Sequence, residues 1–203
     1  MKQTEYTLKN GKMIRVVDDL FSYADRAEIY EKAVAAPYKI GWSDTPILEL
    51  SNYRYLYHAM PDDDLNRSPL LFNLMASPLH EVFEGKDIKK AVINLSHPTD
   101  VHFPHSHNTA DVLLYYVNLK WELHWFGETM FYDDQASEIE LALPYTPGRV
   151  AYFERGVPHA LRPQSQAAQA FRLTIAIFLI DKGSEDSGSE DSGSEDSGSE
   201  DQS

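Results

Sequence analysis

"HFPHSHNTADVLLYYVN", His102 to Asn118, places three of the chain's eight histidines within six residues, directly before an apolar, aromatic run. The segment "DVLLYYVN" has the length and the β-branched and aromatic content of a buried strand. Successive side chains on an extended chain alternate faces, so His105 and His107 share a face with α-carbons roughly 7 Å apart. Two imidazoles at that spacing can converge on one ion. His102 has the opposite parity and points away if the strand is regular across Pro104. A third ligand must come from elsewhere, and His159 in "FERGVPHALRP" is the candidate, because Gly156 and Pro158 set a turn that puts it at the start of a strand.

Around this stretch the chain reads as short β runs punctuated by turns: "KKAVINLS", "DVLLYYVN", "ETMFYDD", "EIELALP", "GRVAYFE", "HALRP" and "FRLTIAIFLI". The N-terminal part reads differently. "YTLKNGKMIRVVDD" is a hairpin about Asn10-Gly11. "SYADRAEIYEKAVAAP" is a helix capped by Ser22 with Asp25 reaching back, carrying an apolar stripe of Ala27, Tyr30 and Val34 and stopped by Pro37. A second helical stretch starts at Ser68-Pro69, is kinked or divided at Pro78 and ends at Gly85. "MPDDDLNR" reads as a solvated acidic loop, since it lacks the glycine and glutamate of a calcium loop. Helices first and strands afterwards indicate an α+β fold: a double-stranded jelly roll, a cupin-like barrel, with N-terminal helices buttressing it.

Composition limits the chemistry. With 42% hydrophobic residues the chain can build a packed core, and without cysteine it has no thiolate ligand, no Cys nucleophile and no disulfide. Any metal must take His, Asp or Glu. The net charge of -14 argues against nucleic-acid backbones as partners. No leader and no apolar run of about 20 residues is evident, so a soluble, cytoplasmic protein without membrane contact is expected. From Gly183 onward "GSEDSGSEDSGSEDSGSEDQS" supplies eight of the 32 acidic residues and no basic one. Such a repeat cannot bury apolar surface and is expected to be a disordered acidic tail over 183–203, leaving a domain at 1–182 whose charge is -6.

The ordered set "LLYYVNLKW", "GETMFYDD", "PGRVAYF", "PHALRP" and "FRLTIAIF" resembles the core of the prolyl 4-hydroxylase-like Fe(II)/2-oxoglutarate-dependent oxygenases. The resemblance covers roughly the last half of the globular part. It implies a double-stranded β-helix and a reaction that couples oxidative decarboxylation of 2-oxoglutarate, with release of succinate and CO2, to hydroxylation of a C–H bond. It makes Fe(II) and 2-oxoglutarate the cofactors, with ascorbate an accessory candidate, and a peptidyl or small-molecule, proline- or amino-acid-like compound the substrate. Carried over residue by residue, His159 matches the distal metal ligand, Arg172 the arginine that pairs with the far carboxylate of 2-oxoglutarate, and Tyr116 a phenol that also reaches it. Thr174 shares the strand face of Arg172 and can donate to the same carboxylate. Guanidinium suits that role because it offers a planar fork and stays charged when buried.

The family normally shows H-x-D where this chain reads His105-Ser106-His107, so the expected ligand set is His105, His107 and His159. Asp111, four residues on, is the carboxylate that could restore the usual set, or else orient a histidine; parity places it on the face opposite Tyr116. The same histidines also fit a cupin metalloprotein, a dioxygenase, isomerase or ligand-binding module with an H-x-H…H site. "HSHNTAD" and "PGRVAYFERGVPH" resemble cupin motifs, but that scheme gives no role to "GET" or to Arg172-Leu173-Thr174. His124 with Trp121, Trp125 and Phe126 reads as a hydrophobic lid or core edge. Oligomeric state is not encoded legibly.

Overall fold

The computed structural model describes residues 1–42 and 54–184; all but the first two residues of the acidic tail therefore lie outside the described residues. Strands β1 (Lys2–Thr7) and β2 (Met13–Asp18) form the expected hairpin, with Asn10 Oδ1 accepting from the Lys12 amide at 2.9 Å. Helix α1 (Tyr23–Val34) follows with both halves of its capping box in place. The Ser22 hydroxyl accepts from the Asp25 amide at 3.1 Å, and the Asp25 carboxylate accepts from the Ser22 amide at 3.2 Å. Loss of that cap in Ser22→Ala is expected to cost about 1 kcal/mol. A denaturant midpoint equal to wild type would show that α1 is held by packing alone.

The buried face of α1 differs from the stripe expected. Ile29 and Ala33 are inside while Val34 is 54% exposed. The face that docks runs through Arg26, Ile29, Tyr30 and Ala33, one residue earlier in phase. Counting only apolar side chains missed Arg26, whose Nη2 donates to the Leu119 carbonyl at 3.1 Å and whose stem then joins the packed side.

Strands β3 (Lys39–Trp42) and β4 (Tyr55–Met60) come next, then helices α2 (Asp62–Asn66) and α3 (Pro69–Met75) and a 3-10 segment, Pro78–Phe83. The acidic "PDDDLN" is thus one helical turn rather than a loop: three aspartates suit the positive end of a helix, and Leu65 is buried beneath them. Pro78 divides the second helical stretch, since it has no N–H to continue the ladder, and Ser77 recaps the chain by accepting from the Leu79 amide at 3.1 Å.

The seven β runs read after Lys89 all form strands: β5 (Lys86–Ser96), β6 (Asp111–Tyr116), β7 (Thr129–Tyr132), β8 (Ile139–Leu143), β9 (Val150–Phe153), β10 (His159–Leu161) and β11 (Arg172–Asp181). With β1 to β4 they build two antiparallel sheets, one ordered β1-β2-β9-β6-β11-β5-β4-β3 and one ordered β10-β7-β8. The architecture is the α+β double-stranded β-helix with buttressing helices.

Parity on β11 shows why the run "RLTIAIFLI" is almost continuously apolar. Leu173, Ile175 and Ile177 pack with Ile29, Leu70, Leu74 and Leu79 beneath the helices. Ala176 and Phe178 pack with Val112, Phe131 and Phe153 between the sheets. A strand covered on both faces needs apolar residues at both parities. The two exceptions, Arg172 and Thr174, have the parity that faces the smaller sheet.

Candidate active site

The two sheets diverge around a cavity of about 100 Å³, larger than one water needs, whose lining includes His105, His107, His159, Arg172, Thr174 and Asn94. Among the described residues that line it, Arg172 alone carries a fixed charge, and none is Asp or Glu.

The histidines meet by a route the sequence did not suggest. Residues 102–108 are not a regular strand; Pro104 has no N–H to give a ladder. Instead His105 and His159 form one antiparallel bridge, exchanging amide-to-carbonyl bonds of 3.0 and 2.8 Å, and the Gly156 amide donates to the His107 carbonyl at 2.9 Å. Gly156 has φ +71, a conformation few other residues adopt, and this turn lays His159 beside His105. The ring centroids lie 4.4 Å (His105 to His159), 5.1 Å (His105 to His107) and 5.3 Å (His107 to His159) apart. One nitrogen from each falls within 4.8 Å of the others, a group able to hold a metal ion.

Backbone carbonyls set two of the tautomers. Nδ1 of His105 donates to the Phe103 carbonyl at 3.0 Å and Nδ1 of His159 to the Val157 carbonyl at 2.9 Å. A carbonyl only accepts, so each Nδ1 carries the proton and each Nε2 the lone pair that a metal needs. His107 packs edge-on against Phe178 at 4.9 Å. Burial, aided by His105 and the Lys90 ammonium, pushes its pKa down to about 3, so it is neutral as a ligand must be.

His102 is outside this group, yet it does not point away: its ring stacks on Tyr55 at 4.2 Å and lines the same cavity. Irregular backbone cancels the parity argument. Asp111 stands apart from the histidines. Its buried carboxylate receives Lys86 Nζ at 2.6 Å, the Tyr152 hydroxyl at 2.9 Å and the Arg155 amide at 2.9 Å. It shares parity with Leu113 and Tyr115, whose side chains pack beneath the helices.

Arg172 lies at the other side of the cavity, 4% exposed. Its Nε donates to the Gly127 carbonyl at 2.9 Å and its Nη2 to the Thr129 hydroxyl at 3.2 Å. Gly127 has φ +83, and a Cβ there would sit 3.2 Å from the Arg172 side chain. The rings of Tyr145 and Tyr116 lie 4.9 and 5.5 Å from the guanidinium carbon. Burial lowers the pKa of Arg172 against the opposing pull of Tyr116, Tyr145 and Glu128, and Glu128 itself makes its ion pair with Arg162 at 3.2 Å.

Tyr116 is fully buried behind the wall, not in it. Its hydroxyl donates to Thr129 Oγ1 at 2.7 Å, and it is Thr129, not Tyr116, that lines the cavity here. Asn94 and Ser96 complete this wall, directly opposite Thr174 and Arg172 on β5. They were legible as the polar positions of "VINLS" that share one parity.

No protein-family model and no curated protein matches the chain. Solved structures do, at low identity. A prolyl hydroxylase from Trichoplax adhaerens, in complex with a hypoxia inducible factor oxygen degradation domain peptide, is 14% identical over 83% of each chain, with a TM-score of 0.58. A 2OG-Fe(II) oxygenase family oxidoreductase from Burkholderia pseudomallei is 13% identical over 82% of this chain and 84% of that one, at 0.59. HygX from Streptomyces hygroscopicus, with nickel and 2-oxoglutarate bound, is 9% identical over 84% and 83%, at 0.60. These likenesses show that the fold is the one used by 2-oxoglutarate/Fe(II) oxygenases, prolyl hydroxylases among them. No helix among the described residues is long and apolar enough to cross a membrane.

Proposed function

We propose that the protein is an Fe(II)- and 2-oxoglutarate-dependent oxygenase that hydroxylates a C–H bond of a peptidyl or small-molecule substrate. The observation that carries this reading is Arg172: a buried guanidinium on a cavity that no described carboxylate lines, shared with three converging imidazoles. Burying an arginine is costly unless an anion joins it. A dicarboxylate with a keto acid at one end satisfies both halves of the cavity at once.

In this reading His105, His107 and His159 hold the metal through Nε2 on the first and third. Arg172 and Thr174 bind the far carboxylate, with Thr129, oriented by Tyr116, beside them. When bound, Fe(II) with 2-oxoglutarate supplies the O2-dependent oxidation, with ascorbate an accessory reductant. Trp42, Tyr55 and Leu56 on the remaining wall exclude water and present an apolar surface to substrate. A cupin-type metal protein would use the three histidines equally well, but it gives the Arg172 guanidinium no anion to bind.

The test is succinate formation from 2-oxoglutarate by the purified apo-protein, in air, with and without Fe(II). Metal-dependent, uncoupled succinate is expected. If none forms, and an anaerobic Fe(II) titration with 2-oxoglutarate also gives no metal-to-ligand charge-transfer band, the oxygenase reading fails and the cupin reading gains.

A further inference from the structure

We infer that His107, standing where this fold's metal sites usually carry a carboxylate, makes metal retention depend on 2-oxoglutarate: the two bind as a strongly coupled pair. This rests on the oxygenase reading above.

The argument is one of charge. Three imidazoles bring no negative charge to a divalent metal, and no Asp or Glu among the described residues lines the cavity. Asp111, the nearest acid in sequence, is spent on Lys86 and Arg155. Of the fixed charges near the cavity, Arg172 lies on it, and Glu128, the carboxylate that acts on Arg172, makes its ion pair with Arg162 at 3.2 Å. A metal entering alone therefore adds two positive charges to a poorly solvated site whose three ligands bring no negative charge. The dianion reverses this: its keto acid offsets the metal and its far carboxylate offsets Arg172. A carboxylate at position 107 would have supplied part of that compensation permanently. Coupling is reciprocal, so the metal must tighten 2-oxoglutarate by the factor by which 2-oxoglutarate tightens the metal. A chain built this way loads its metal when the cosubstrate is plentiful and releases it when it is scarce.

The full chain, stripped of metal, can be titrated with Mn(II), free Mn(II) being read by its electron paramagnetic resonance signal, at zero and at saturating 2-oxoglutarate. In wild type, 2-oxoglutarate is expected to tighten Mn(II) by about thirtyfold or more. His107→Asp is expected to bind Mn(II) alone about tenfold tighter than wild type and to lose most of the coupling factor. An unchanged coupling factor in a variant with wild-type circular dichroism overturns the inference and leaves the oxygenase reading standing. Absence of 2-oxoglutarate binding in wild type, with or without Mn(II), overturns both. Should His107→Asp fail to fold, wild type decides with an analogue whose carboxylate beside the keto group is an amide. That analogue keeps the donor atoms and the Arg172 contact but not the charge at the metal. Loss of about tenfold or more of the coupling supports the inference, and full coupling overturns it.

Discussion

Arg172→Ala is expected to weaken 2-oxoglutarate binding about 100-fold or more while the protein still takes up one equivalent of metal. The size follows from where the charge sits. Arg172 is buried, held in plane by the Gly127 carbonyl and the Thr129 hydroxyl and backed by two tyrosine rings. Its orientation is fixed before any ligand arrives, so little entropy is lost on pairing. Removing it leaves the far carboxylate of the cosubstrate desolvated and unpaired, which is the costly half of breaking a buried ion pair. The fold should tolerate the change, because the groups orphaned are one carbonyl and one hydroxyl that Tyr116 still reaches. Calorimetric titration of metal and of 2-oxoglutarate into the same preparation separates the two sites. Loss of metal with cosubstrate affinity preserved would sink the assignment of Arg172.

The sequence carries the placement of Arg172 and Thr174 better than that of the histidines, and the reason is regularity. On β11 the period of two runs unbroken from Arg172 to Phe178, so parity alone puts two polar side chains on the face between the sheets. On β5 the same period picks out Asn94 and Ser96 opposite them. The histidine cluster has no such period: His105 and His159 are joined by one bridge between irregular segments. Spacing gave the right three residues to converge, but not the way they do so, and it sent His102 to the wrong side. Tyr116 was placed by motif, and only the packing shows that its hydroxyl is taken by Thr129. Elements that failed to register were those whose reason lies in a partner. Lys39–Trp42 has a glycine, a lysine and few β formers, and it is a strand because β4 pairs with it. The docked face of α1 is one residue off the apolar stripe, with Ile29 and Ala33 in the core and Arg26 beside them reaching the Leu119 carbonyl.

Asp111→Ala should lower stability by about 2–3 kcal/mol and leave metal stoichiometry untouched. The buried carboxylate gathers Lys86, the Arg155 amide and the Tyr152 hydroxyl at the first residue of β6, tying that strand to β5 and to the end of β9. Deleting it strands those donors. The loss stays below that of a wholly buried pair because Lys86 and Arg155 retain Asp181 and some solvent. Burial acts to raise the Asp111 pKa, but the bonds from Lys86, Arg155 and Tyr152 outweigh it and hold the carboxyl below its ordinary value of 3.8. A depressed carboxyl stabilises the folded state above the unfolded value and ceases to do so as pH falls through the folded one. Wild type should therefore lose its advantage over Asp111→Ala only below about pH 4. Urea unfolding at neutral and acid pH, with metal content assayed on the same samples, tests both halves. A variant as stable as wild type but unable to hold metal would make Asp111 the missing carboxylate ligand, and with it would fall the charge argument for His107.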